Sequence, residues 1–160
     1  MKIKLVRSGF DRDTHQSYVS IQTRYGEFSG KSKTHKDDYD IENRYVGCEY
    51  AERKAFIKAL KMKKRLLKER LDSYSSLSKD LKEKNLTDEK TYIVICQYIK
   101  RTQKEYSNLK EEIKTIEEKL KNDMANRRLK IEENNKKRNN KVKWINLGEI
   151  DLSKSNKNEK

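Results

Sequence analysis

Residues 92–120, YIVICQYIKRTQKEYSNLKEEIKTIEEKL, decide the fold. Within them Tyr92, Ile99, Tyr106, Ile113 and Leu120 recur every seven residues, and Ile95, Thr102, Leu109 and Ile116 stand three places after the first four of these. Alternating steps of three and four keep side chains on one stripe of an α-helix, so the pattern predicts a buried seam over four heptads. Upstream, Leu60, Leu67, Tyr74 and Leu81 repeat the same period, with Phe56, Ile57, Leu71 and Leu77 on the same side. That predicts a first helix from near Cys48 to about Glu83. Residues 84–88, KNLTD, carry helix-capping types and separate the two, which predicts a helical hairpin. Past Leu120 the order fades, with Met124, Leu129 and Ile131 loosely placed around Arg127-Arg128, and fraying is expected over residues 132–141.

The N-terminal third has a period of two instead. Lys2-Ile3-Lys4-Leu5 predicts a strand, a polar turn follows around Gly9-Phe10-Asp11-Arg12-Asp13, and residues 18–23 place Val19 and Ile21 on one face. Tyr25-Gly26 supplies a tight turn, and residues 27–33 return with Phe28 and Gly30 sharing a face. Gly30 inside a strand reads as a bulge, a close approach by another backbone or ligand, or a weakened edge. Residues 34–47, THKDDYDIENRYVG, have no steady period and read as a connector. The fold class is α+β: a small N-terminal antiparallel β-sheet followed by two long antiparallel helices. The expected division is 1–47 for the hairpin module and connector, 48–138 for the helical hairpin, and 139–160 for a polar tail. An apolar island at residues 142–152, VKWINLGEIDL, holds the single Trp144 and reads as a short strand or loop capping the hairpin's apolar end, as a docking peptide, or as a disordered segment.

Composition agrees with that architecture. Of 160 residues 32% are apolar and 41% charged, too polar for a large globular core but suited to helices that each bury one narrow stripe. Proline is absent, which permits long uninterrupted helices. The net charge is +14; residues 121–160 hold 12 basic against 6 acidic side chains, so +6 lies there and +8 in the rest. The bland reading is a solvated lysine–glutamate surface, and the functional one is an anionic partner: nucleic acid, nucleotides or an acidic protein. Cys48 and Cys96 lack a CxxC spacing, and the chain shows neither a signal segment nor an apolar run of bilayer length, which points to the cytoplasm and to no membrane.

Catalytic signatures are missing. His15 and His35 have no ligand spacing, five glycines form no phosphate loop, and the helical carboxylates face lysines three or four residues away. The expectation is a non-catalytic protein with no metal or cofactor. Two groups nevertheless stand out. Counting back seven from Leu60 puts Arg53 on the apolar stripe, either paired with Glu49 one turn earlier or facing a cleft, where its fork of donors would hold phosphate; Arg44 and Tyr45 could add a cation and a ring. On the second helix Tyr92, Tyr98, Arg101 and Tyr106 combine rings with a cation, as adenine stacking and phosphate neutralisation require, although Tyr92 and Tyr106 also sit at seam positions.

Residues 18–31 (YVSIQTRYGEFSGK) and 47–55 (GCEYAERKA), followed by lysine-rich helices, resemble small proteins of phages infecting Firmicutes, above all the first-described family of Thoeris anti-defence proteins. The resemblance covers roughly residues 1–130; the tail after Asn139 departs from it. It implies a homo-oligomer that sequesters cyclic ADP-ribose-type signals, or cyclic oligonucleotides, without cleaving them. Arg53 matches a ligand-contacting position, and Arg44, Tyr98 and Arg101 are the further ligand-binding candidates. The alternatives are a basic coiled-coil protein that binds nucleic acid, and an inhibitor of a host protein anchored by the Trp144 segment.

Overall fold

The computed structural model describes residues 1–34, 44–87 and 89–152, with side chains through residue 137. Strands β1 (Lys4–Asp11), β2 (Gln16–Thr23) and β3 (Gly26–Lys33) precede helices α1 (Arg44–Glu83) and α2 (Lys90–Leu152). The three strands form one antiparallel sheet in the order β1-β2-β3. Residues 35–43, with His35 and most of the connector, Asp88, the island side chains and residues 153–160 lie outside what is described.

The period of two resolves as expected on β2, where Ser17, Val19, Ile21 and Thr23 are buried and alternate with more exposed residues. β1 runs longer than its sequence suggested: Gly9 and Phe10 pair with Tyr18 and Ser17, and the turn lies beyond Asp11. Asp11 makes that turn by accepting hydrogen bonds from the backbone N–H of Asp13 (3.0 Å) and Thr14 (3.3 Å) and from Thr14 Oγ1 (2.7 Å). These bonds, the Thr14 hydroxyl first, hold its carboxyl below the ordinary value. The register shift falls in β1 between Leu5 and Arg7, whereas Gly30 pairs in register with Val19.

Gly30 is instead the close approach of another backbone. Ala51, Ala55 and Ala59, one turn apart on α1, pack with Val19 and Ile21 into one buried cluster, and a Cβ on Gly30 would lie 2.8 Å from Ala55 N. Small residues on both sides let helix and sheet touch. Lys54 Nζ and Lys58 Nζ of α1 then donate to the Lys31 and Ser29 carbonyls of β3, at 3.1 and 2.6 Å.

Beyond Leu60 the partner changes. Leu60 and Leu67 of α1 pack with Leu109 and Ile113 of α2, and Phe56 touches both this cluster and the sheet cluster. Lys61–Glu117 (2.6 Å) and Lys63–Glu105 (2.7 Å) link the helices beside the seam. The predicted seam needs one correction: Leu77 is 45% exposed, and Ser78 is buried in its place. α1 ends in a Schellman motif, with Asn85 at φ 58° donating to Lys82 O (3.0 Å) and Leu86 N–H to Leu81 O (2.9 Å).

Two further boundaries differ from expectation. α1 begins at Arg44, so Arg44 and Tyr45 stand on its first turn rather than in a loop, and α2 continues past residues 132–141 to Leu152, so the island backbone is helical. No proline interrupts α2, and its weakened apolar period does not remove the backbone ladder. The chain divides into a unit of Met1–Leu120 and a second of Lys121–Lys160, the boundary falling where the heptad seam stops. Within the second unit Arg128 pairs with Glu132 (3.2 Å), while Met124 and Leu129 are exposed.

Candidate functional site

The four residues singled out in the sequence fall in two separate places, Arg44 and Arg53 near the start of α1 and Tyr98 and Arg101 one turn apart on α2. Arg53 pairs with Glu49 at 2.5 Å. It lies roughly 200° around α1 from the sheet-facing Ala51, because the stripe that holds Leu60 does not continue once the helix meets the sheet. Arg44 sets its guanidinium 5.0 Å from the Phe10 ring centroid. Tyr98 stacks on Tyr74 of α1 at 5.8 Å and 23° between planes, and Arg101 is exposed. Tyr74 is about 30 Å further along α1 than Arg53, at 1.5 Å per residue. One copy of the chain therefore does not bring these residues into a common pocket. Tyr106 packs against the inter-helix cluster, and Tyr92 is half-buried.

A different group converges where the β2–β3 turn meets the helices. Lys63, Leu66, Leu67 and Arg70, spaced three, one and three residues apart, share one face of α1. Arg24 and Tyr25 from the turn and Glu105 from α2 complete an open groove of about 380 Å³. A neighbouring cavity of about 470 Å³ shares Arg24, Tyr25 and Lys63 and adds Met1 and Lys2. The turn is rigidly set: Thr23 Oγ1 accepts from Tyr25 N–H (3.1 Å) and donates to Gly26 O (3.2 Å), with Gly26 at φ 119°. Arg24 lies over the Tyr25 ring, 4.7 Å from its centroid, and donates to its hydroxyl.

Charge in the groove is lopsided. Arg24, Lys63, Arg70 and Lys2 face a single carboxylate, Glu105, among the lining residues. The hydrogen bond from Lys63, then its charge and those of Arg24 and Arg70, hold the Glu105 carboxyl below its ordinary 4.5. Such a set can neutralise phosphate and offer an aromatic face to a base. Arg24 and Arg70 escaped the sequence reading because nothing local states which helix face the hairpin tip will land on. The available signal was Arg24-Tyr25 at a turn together with basic residues seven apart on α1.

Among the described residues no group of three or more His, Cys, Asp or Glu side chains is placed to hold a metal ion, and no helix is long and apolar enough to cross a membrane. Cys48 and Cys96 are free thiols, the former directed at the Gly9 carbonyl (3.8 Å). Comparison with protein-family profiles, curated proteins and solved structures returned no match. The fold accordingly defines a class by architecture: a three-stranded antiparallel sheet carried on a long helical hairpin.

Proposed function

We propose that the chain is a non-catalytic binding protein for a phosphate-bearing small molecule, and that it sequesters a cyclic nucleotide signal of the cyclic ADP-ribose or cyclic oligonucleotide type without cleaving it. The observation that carries this is the groove lined by Arg24, Lys63 and Arg70 together with the Tyr25 ring and one opposing carboxylate, Glu105. Charge-assisted hydrogen bonds contribute about 1.5–3 kcal/mol each, so tight capture calls on several of them from Arg24, Lys63 and Arg70 together with a stacked base, in a preformed groove. The choice of ligand rests on the resemblance of residues 18–31 and 47–55 to phage anti-defence proteins.

Self-association belongs to the same proposal. Leu77, Ile93, Val94 and Tyr98, at the turn end of the helical hairpin, are 45–51% exposed, an apolar patch suited to a second copy. A partner seated there is also the route by which Arg53, Arg44, Tyr98 and Arg101 could share a site across subunits.

The test is to heat the purified protein with a panel of cyclic ADP-ribose isomers, cyclic oligonucleotides and short DNA, then recover the ligand. A rise in melting temperature with one cyclic nucleotide, released intact and abolished by Arg70→Ala, supports sequestration in the groove. If Arg53→Ala abolishes the shift and Arg70→Ala does not, the site lies at the start of α1. No shift with any nucleotide removes the proposal.

A further inference from the structure

We propose that the face of the sheet turned away from α1 is a docking surface for double-stranded DNA, separate from the groove and independent of its ligand. Cross-strand register decides which residues share that face. Lys4 pairs with Gln22, Arg7 with Ser20, Gly9 with Tyr18 and Tyr18 with Lys31, while the alternate positions of β2 and β3 turn inward to the alanine stripe. The outward face presents Lys4 and Arg7 on β1 and Lys31 and Lys33 on β3, all exposed. The central strand carries no charge there: Gln16, Tyr18, Ser20 and Gln22 are all neutral.

That layout is complementary to a major groove. Cations on both outer strands meet two rows of phosphates, and amides and hydroxyls on the middle strand meet base edges, which glutamine and serine read by hydrogen bonding. Three strands spaced about 4.8 Å put the outer backbones about 10 Å apart, so β2 lies over a groove about 12 Å wide while β1 and β3 run along its phosphate rims. Tyr18 lies across Gly9, where a Cβ would collide with its ring, and Arg7 stacks on that ring 5.5 Å from the centroid. A protein partner would need a projecting apolar anchor, and among the described residues the only ring on this face is the half-buried Tyr18. Among the described residues two carboxylates share the face. Glu27 lies opposite Gln22, and Asp11 already accepts three hydrogen bonds in its turn, so cations outnumber them two to one.

The test uses the full chain and a short labelled duplex, with binding followed by fluorescence anisotropy across a salt series. Replacing Lys31 and Lys33 by glutamine should weaken binding about tenfold or more and lower the slope of log affinity against log salt by about 2. Arg7→Ala should weaken it as well, and Arg70→Ala in the groove should change it less than about twofold. These positions are exposed, so melting temperature should stay unchanged and report any misfolding. Absence of duplex binding overturns the proposal. So does binding that ignores the sheet variants, or that disappears on replacing Arg127 and Arg128 by glutamine, since α2 would then carry the phosphate contacts. Loss of nucleotide binding in the groove leaves this result unaffected, and the converse also holds.

Discussion

Gly30 of β3 and Ala51 of α1 meet so closely that a Cβ on Gly30 would lie far inside van der Waals contact with the Ala51 carbonyl oxygen. The contact sets the distance at which α1 rides over the sheet. Gly30→Ala should therefore destabilise the protein by about 1–3 kcal/mol, although glycine is intrinsically poor in a strand. A urea midpoint that stays put or rises would show that helix and sheet can separate without cost.

The seam between the helices makes its own prediction. Leu109 is 3% exposed among Leu60, Leu67 and Ile113, so Leu109→Ala should cost about 2–5 kcal/mol. Leu77, which shares the apolar period by sequence but is 45% exposed, should tolerate alanine within about 0.5 kcal/mol at protein concentrations that keep the chain monomeric. Equal losses at both positions would contradict the register of the two helices.

Asn85 holds a left-handed conformation at φ 58° in the cap that closes α1. Glycine adopts that region freely and a β-branched residue does not. Thermal melts should place Asn85→Gly at or above the parent and Asn85→Val roughly 1–2 kcal/mol below it.

The Lys63–Glu105 pair couples the groove to pH. Because the Glu105 carboxyl is held below 4.5, the pair's contribution is full above that value and is lost as pH falls through the lower folded-state value. The pair is exposed enough that its effect on stability should stay within about 1 kcal/mol. Carboxyl titration by NMR should show Glu105 moving up in Lys63→Met. If the groove is the anion site, Glu105→Gln should tighten ligand binding about two- to fivefold by removing the opposing charge. Weaker binding in that variant would place the ligand elsewhere.

What the sequence determined by itself was local periodicity. Val19 and Ile21 could only share a face of a strand, and Ile95, Leu109, Ile113 and Leu120 only a stripe of a helix, because backbone geometry imposes those repeats on any chain. The sheet, the two helices and the break near Asn85 were legible for that reason. Tertiary structure decided which partner each stripe received. The heptad counted back from Leu60 pointed to Arg53, but α1 gives up α2 for the sheet at that point and turns Ala51, Ala55 and Ala59 inward. Alanine has too little apolar weight to announce such a face in a sequence. The groove was hidden for the same physical reason: Arg24 and Arg70 are joined only by the crossing of a hairpin tip over a helix, and long-range packing, not local propensity, sets where that crossing falls.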